Sequence, residues 1–333
     1  MKRATLKTLS SHLELSVSTV SRALKDGPEV KPETIARVKR AAAELGYVPD
    51  LRGVKLRTGQ TFTIHAFLAA PKADEVGDAG SVALTQGMHR SLADTSYSLI
   101  QVPLSPGSDA LAAVQRIDEA QLTDGMIMDL TRPQDPRARY LLERDVPFVS
   151  FGRTELYTPH AYFDIDNEDA AYQATALLIR RGHRRIALID GELEYLFCRQ
   201  RLAGYRRALA EAGLPFDEGL TSHADRDADR SAQTVQHMLA FDRPPTGYVC
   251  VNEVVTLGIL HGLSTAGFQA GDGVDVVSRE GTRLSSYLPW RVSTCYYPLS
   301  LAGERLASFL LRLLAGEDPA ALQEVVKVEV IER

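Results

Sequence analysis

The sequence predicts an all-α helix-turn-helix head followed by an α/β core of two lobes, each a doubly wound parallel sheet. Three observations lead there. Residues 1–60 hold 12 Lys/Arg against 6 Asp/Glu and so carry +6, while the whole 333-residue chain is −5, leaving −11 on residues 61–333. Inside that basic head, apolar residues recur at helical spacing on both sides of a very short break. Beyond residue 61, short apolar runs alternate with helical segments in two successive series, the pattern of parallel sheets covered on both faces. A cationic head on an anionic body points to a polyanionic partner for the head and a separate task for the body.

In the head, Leu6, Leu9 and Leu13, then Val20 and Leu24, lie at helical spacing around a break at Glu14-Leu15-Ser16. So short a break is a tight turn between two crossed helices. Ser16 suits the N-cap of the second helix, because its hydroxyl accepts free backbone N–H groups of the first turn. The outward residues are then Val17, Ser18, Ser21 and Arg22. Short side chains with one fork-shaped cation fit a major groove, where Arg pairs with guanine. A third helix is expected from Pro32 to Leu45, with proline in its first turn and Gly46 ending it. Ile35, Val38, Ala42 and Leu45 are expected to pack on the first two helices.

In the body, strands are expected near 62–69, 97–103, 125–130, 146–151 and 162–165, then near 185–190, 246–251, 274–278 and 292–296. Helices over 169–181, 201–212 and 253–266 lie between them. Ligands of such lobes bind beyond the carboxyl ends of the strands. Hydrophobic and charged fractions of 44% and 24% are those of a globular chain. No apolar run approaches the roughly 20 residues that span a bilayer. The basic start, Met1-Lys2-Arg3, leads into polar helix instead of an apolar signal core, so no membrane and a cytoplasmic location are expected. Cys198, Cys250 and Cys295 have neither disulfide nor metal spacing and read as reduced core thiols. No His has a ligand-spaced partner, and nucleophile–base pairs and phosphate-binding glycine loops are missing from the pattern. Neither enzyme chemistry nor a cofactor or metal is expected.

Thr5-Leu6, the run Ser16-Val17-Ser18-Thr19-Val20-Ser21-Arg22-Ala23-Leu24, Gly46-Tyr47-Val48-Pro49 and Leu56-Arg57-Thr58-Gly59 stand in order and at the separations of the head and hinge of the lactose/galactose repressor (LacI/GalR) family, which the chain resembles. The resemblance implies a DNA-binding domain over 1–48, a hinge helix and linker over 49–60, and an effector-binding core over 61–333 of periplasmic-binding-protein type I architecture. It implies that Thr5, Leu6, Ser16, Thr19, Ser21 and Tyr47 contact phosphates or hold the helices on the backbone, and that Val17, Ser18 and Arg22 read bases. Leu56 matches the hinge leucine that wedges into the minor groove, with Lys55, Arg52 and Arg57 beside it on phosphates. Three positions depart from the family. Glu14 replaces a turn glycine, at a cost of about 1 kcal/mol if φ is positive there. Asp50 replaces an asparagine, and Gly53 an alanine of the hinge helix.

In the core, Asp164-Ile165-Asp166-Asn167, the stretch Arg181-Gly182-His183-Arg184-Arg185 and Arg201-Leu202-Ala203-Gly204-Tyr205 are similar to family motifs. The resemblance implies that Arg201, Asn252 and Glu280 hold a sugar's hydroxyls, flanked by Arg153, Tyr195, Phe197 and Asp225. Phe197, Trp290 or Tyr296 would stack on a pyranose face. Glu253 and Glu280 stand where the family has aspartates. It also implies three crossings between lobes, with lobe 1 over about 61–162 and 292–320 and lobe 2 over about 163–291 and 321–333.

The expected function is thus a transcriptional regulator, a repressor of carbohydrate-utilisation genes, binding a palindromic double-stranded DNA operator as a homodimer under control of a sugar effector. Helix 82–93 is expected in the dimer contact, and the end at Arg333 without a leucine-heptad tail favours a dimer over a tetramer. Ser18, Arg22-Ala23-Leu24-Lys25-Asp26 and 53–59 are similar to alpha-proteobacterial regulators of α-glucoside use. An effector that tightens DNA binding as co-repressor is equally compatible. A sugar-binding protein without DNA function and a sugar-metabolising enzyme are the rival classes.

Overall fold

The computed structural model describes residues 4–47, 59–70, 79–105, 107–223 and 227–333. The chain divides into two units, Met1–Thr61 and Phe62–Arg333.

The first unit contains α1 (Leu6–Leu13), α2 (Val17–Ala23) and α3 (Pro32–Glu44). Thr5 and Thr8 form a capping box at the start of α1. The helix ends where Glu14 adopts φ 55° and ψ 37°, so the residue that replaces the turn glycine does sit in the left-handed region. Ser16 caps α2, its Oγ accepting the Thr19 N–H at 3.1 Å. Leu9, Leu13, Val20, Ala23, Val38, Ala41 and Ala42 form the core. Leu45, expected in that core, is 37% exposed. It follows the last helical residue of α3, so the helix face ends with Ala41 and Ala42.

The second unit holds two six-stranded sheets. The first has the order β11-β5-β4-β3-β1-β2, from β1 (Thr63–Ala69), β2 (Ser98–Leu104), β3 (Gly125–Met128), β4 (Phe148–Phe151), β5 (Ala161–Ile165) and β11 (Gln323–Val326). The second has the order β12-β10-β9-β8-β6-β7, from β6 (Ile186–Asp190), β7 (Thr221–His223), β8 (Gly247–Cys250), β9 (Asp275–Glu280), β10 (Val292–Tyr296) and β12 (Glu329–Ile331). All pairings are parallel except β10 with β12. Inner strands are buried on both faces, which is why β1 and β6 read as continuous apolar runs.

Helices α4 (Ala79–Leu92) and α11 (Leu299–Leu314) cover one face of the first sheet, α5 (Ala110–Glu119) and α6 (Pro136–Glu143) the other. Helices α7 (Asn167–Arg180) and α8 (Leu196–Glu211) cover one face of the second sheet, α9 (Ala228–Leu239) and α10 (Glu253–Thr265) the other. The α7–α8 approach is so close that a Cβ on Gly204 would overlap the Glu168 carbonyl.

The crossings differ from the expected boundaries. Strand β5 belongs wholly to the first sheet, and β10 pairs in parallel with β9 in the second, so the chain returns to the first lobe only after residue 296. Strand β11 then extends the first sheet and β12 the second, so the tail crosses after residue 326 and not near 321. A single strand's pattern records burial, and the identity of its neighbour is decided elsewhere in the chain.

Candidate functional site

Two surfaces have the chemistry of a site. On the first unit, Thr5, Ser16, Val17, Ser18 and Arg22 are exposed, Thr19 and Ser21 partly so. The Ser16 hydroxyl is 2.8 Å from both Ser18 Oγ and Thr19 Oγ1, so the start of α2 is ordered by its own side chains. Val17, an apolar group, is 42% exposed. Leu6 and Tyr47 are half-buried against the head core, which suits a role in holding the helices in place. Glu29 was not anticipated: its carboxylate lies 3.3 Å from Arg22 Nε. The ion pair is exposed at both ends and so weak. Lys55 and Leu56 lie outside the described residues, as do Arg52, Arg57, Asp50, Gly53 and Asp225.

The second surface is a cavity of about 790 Å³ between the lobes, at the carboxyl ends of strands from both sheets. Arg201, Asn252 and Phe197 line it together, although they come from α8 and from the turn before α10. Arg201 is buried, with Nε 2.8 Å from Asp190 Oδ2, Nη2 2.5 Å from Asp190 Oδ1 and Nη1 donating to Asn167 Oδ1 at 3.1 Å. Burial opposes its charge, but the Asp190 carboxylate outweighs burial and holds its pKa above the ordinary value. The guanidinium lies 5.0 Å from the centre of the Phe197 ring, which stacks on Tyr195 at 5.4 Å and 5°. Tyr195 and Phe197 thus present paired aromatic rings to the cavity. Asn252 Oδ1 accepts the Val255 N–H at 2.8 Å.

Other expected groups stand differently. Glu280 does not line the cavity. It is 1% exposed, and its two oxygens accept from the Ser285 N–H (3.1 Å) and Oγ (3.0 Å). Its neighbour Arg279 lines the cavity instead, because adjacent residues of a strand face opposite ways. Arg153 is also outside the lining; its Nε lies 2.7 Å from Asp164 Oδ2, and Asp164 reaches the cavity. Trp290 packs on the core of the second lobe, and Tyr296 lies under Arg283, so neither is a stacking platform for a ligand here.

Several lining groups were not anticipated. Glu253 Oε1 accepts from Gly281 N, Thr282 N and Thr282 Oγ1 at 2.7–2.9 Å and ties α10 to the turn after β9. Asp135 and Arg137 form a buried pair (2.8 Å), and Arg137 Nη2 also donates to the carbonyls of Asp129 and Leu130. That holds a turn in which Leu130 has φ 54°. Two contacts cross the cavity mouth: the Leu196 N–H donates to Thr131 O at 3.0 Å, and Arg132 pairs with Glu194 at 2.8 Å. Asp135 followed by Pro136 is a legible helix start; the lobe-to-lobe contacts leave no local signature.

Comparison with known proteins decides the family. A profile described as "Periplasmic binding proteins and sugar binding domain of LacI family" matches residues 71–286. The HTH-type transcriptional regulator AglR of Rhizobium meliloti (strain 1021) is 32% identical over 335 residues, covering 98% of this chain and 93% of its own. The chain belongs to the LacI family. A second profile, "Bacterial regulatory proteins, lacI family", matches residues 14–50, the head. CelR of Thermobifida fusca, another HTH-type transcriptional regulator, is 28% identical across 100% of this chain and 98% of its own. A CelR–cellobiose complex shares the fold at TM-score 0.74, with 26% identity and 99% of both chains covered. A lac repressor dimer bound to operator and the anti-inducer ONPF does so at 0.81, with 23% identity and coverage of 100% and 98%. This LacI-family protein is therefore a DNA-binding transcriptional regulator with a sugar-binding domain, and not an enzyme. Among the described residues, no helix is long and apolar enough to cross a membrane.

Proposed function

We propose that this regulator is a cytoplasmic repressor of carbohydrate-utilisation genes, binding a palindromic operator as a homodimer and released by a sugar effector of the α-glucoside class. One observation carries the reading: a single chain joins an exposed, self-capped helix suited to a major groove with a cleft lined by Arg201, Asn252 and the Tyr195–Phe197 pair. Val17, Ser18 and Arg22 read base edges, and Thr5, Leu6, Ser16, Thr19, Ser21 and Tyr47 set the helix on the backbone. Lys55 and Leu56 act at the centre of the operator. In the cleft Arg201 donates, Asn252 donates and accepts, and Phe197 stacks; Arg153 acts through Asp164. The exposed Val82 on α4 suits the dimer contact.

The cellobiose held by CelR supports a disaccharide-sized ligand, and a cavity of about 790 Å³ accommodates one. The effector acts by binding one arrangement of the lobes more tightly than the other, and a coupling of about 1–3 kcal/mol suffices. The test is footprinting of the full chain on its upstream DNA with and without sugars. Protection of an inverted repeat that R22A weakens, and that a sugar relieves, is the expected result. No protected inverted repeat under any condition sinks the proposal.

A further inference from the structure

The cleft also bears on the charge of its ligand, a point that deepens the sugar reading above and rests on it. Strands of both sheets end at the cavity, so the N-termini of α4, α5, α6, α7, α8, α10 and α11 converge there. Free N–H groups and the helix dipole make such ends ready seats for phosphate. Here four of the seven carry a side-chain oxygen of the protein itself. Asp109 accepts from Ala112 N (2.9 Å), Asp135 from Arg137 N (2.9 Å), Asp166 from Asp169 N (3.0 Å) and Asn252 from Val255 N (2.8 Å). At α8 the Leu196 N–H already donates to Thr131 O across the cavity mouth, and at α11 the Leu299 N–H donates to Gly281 O at 3.0 Å; the residues before α4 lie outside the described residues.

The cations are engaged as well. Arg132 pairs with Glu194, Arg137 with Asp135 and Arg201 with Asp190, and Arg279 is not free either. Arg137 Nη1 is buried without a hydrogen-bond partner, but the charge of that guanidinium is balanced by Asp135. Among the described lining residues, seven carboxylates face four guanidinium groups. A phosphate ester would add a charge of about −1.5 to −2 to this surplus and lose its water with no unpaired cation among the described lining residues to replace it. A neutral sugar meets the same surface on better terms. Its hydroxyls donate to carboxylates and accept from the Asn252 amide, and its apolar face lies on the aromatic pair.

We infer that the cleft selects an uncharged sugar of up to disaccharide size and rejects the corresponding phosphate ester. Calorimetric titration of the full chain at low salt tests this, using glucose, maltose, cellobiose, sucrose and trehalose beside glucose 6-phosphate, sucrose 6-phosphate and trehalose 6-phosphate. The expected result is a neutral probe that binds at least about ten-fold tighter than its own ester, a gap of about 1.4 kcal/mol. E194Q removes an exposed charge and frees Arg132, so it should narrow that gap. An ester as tight as its parent, or a ratio that E194Q leaves unchanged, overturns the inference while the sugar reading stands. No binding in either arm overturns both.

Discussion

Glu280 links burial in the second lobe to pH. Burial pushes its pKa up from an ordinary 4.5 to about 7; the bonds from Ser285 pull the other way, and the nearby Glu253 carboxylate adds to the rise. Between those two values the folded protein keeps a proton that the unfolded chain has released. Stability therefore falls as pH rises through this window, and the loss is complete above pH 7. At about 1.36 kcal/mol per pH unit the difference amounts to about 3 kcal/mol. Replacing Glu280 by glutamine keeps the shape and removes the ionisation. Urea unfolding of the full chain at about pH 5 and about pH 8 measures it, with fluorescence of Trp290, the single tryptophan, which packs on the core of the same lobe. E280Q should lose about 2.5 kcal/mol less than the wild-type protein over that range and be the more stable of the two at the upper end. Equal losses in both proteins would refute the reasoning.

Three further outcomes follow from single contacts. E14G relieves the left-handed backbone at the end of α1 and should stabilise the head by up to about 1 kcal/mol, read as a higher midpoint of its unfolding. G204A forces α7 and α8 apart at the Glu168 carbonyl and should cost at least about 1–3 kcal/mol in denaturant melts. R201A leaves Asp190 buried and unpaired, so it should cost about 3–5 kcal/mol as well as the effector response, whereas a group that only touched ligand would leave the ligand-free melting temperature unchanged.

Local patterns in the chain marked out most of the architecture. The spacing of Leu9, Leu13 and Val20, the cap at Ser16 and the proline at 32 mark three helices whose bounds the structure moves by a residue or so. The apolar runs mark nine of the strands: eight are largely buried and keep that character in nearly every residue, while β2, an exposed edge strand, is marked by its own Leu99, Ile100, Val102 and Leu104. Three short strands, β7, β11 and β12, were not marked: they are edge strands, and only a neighbour brought from far along the chain makes them strands. The same cause hid the lobe to which β10 belongs.

The cleft divides in the same way. Arg201, Asn252 and Phe197 carry motifs and meet at one cavity. Glu280 carries a motif position, yet the half-turn between neighbouring residues of β9 buries it and brings Arg279 to the ligand side. The sequence alone determined the three head helices, nine of the strands and the chemistry those segments offer, since periodicity, caps and turns act within a few residues. Only the tertiary structure decided edge pairing, the facing of side chains at strand ends and the Arg132–Glu194 and Thr131–Leu196 contacts between lobes. The two contacts between lobes join groups more than sixty residues apart, and the pairings of β7, β11 and β12 join segments more than thirty apart, so packing and not local pattern brings them together.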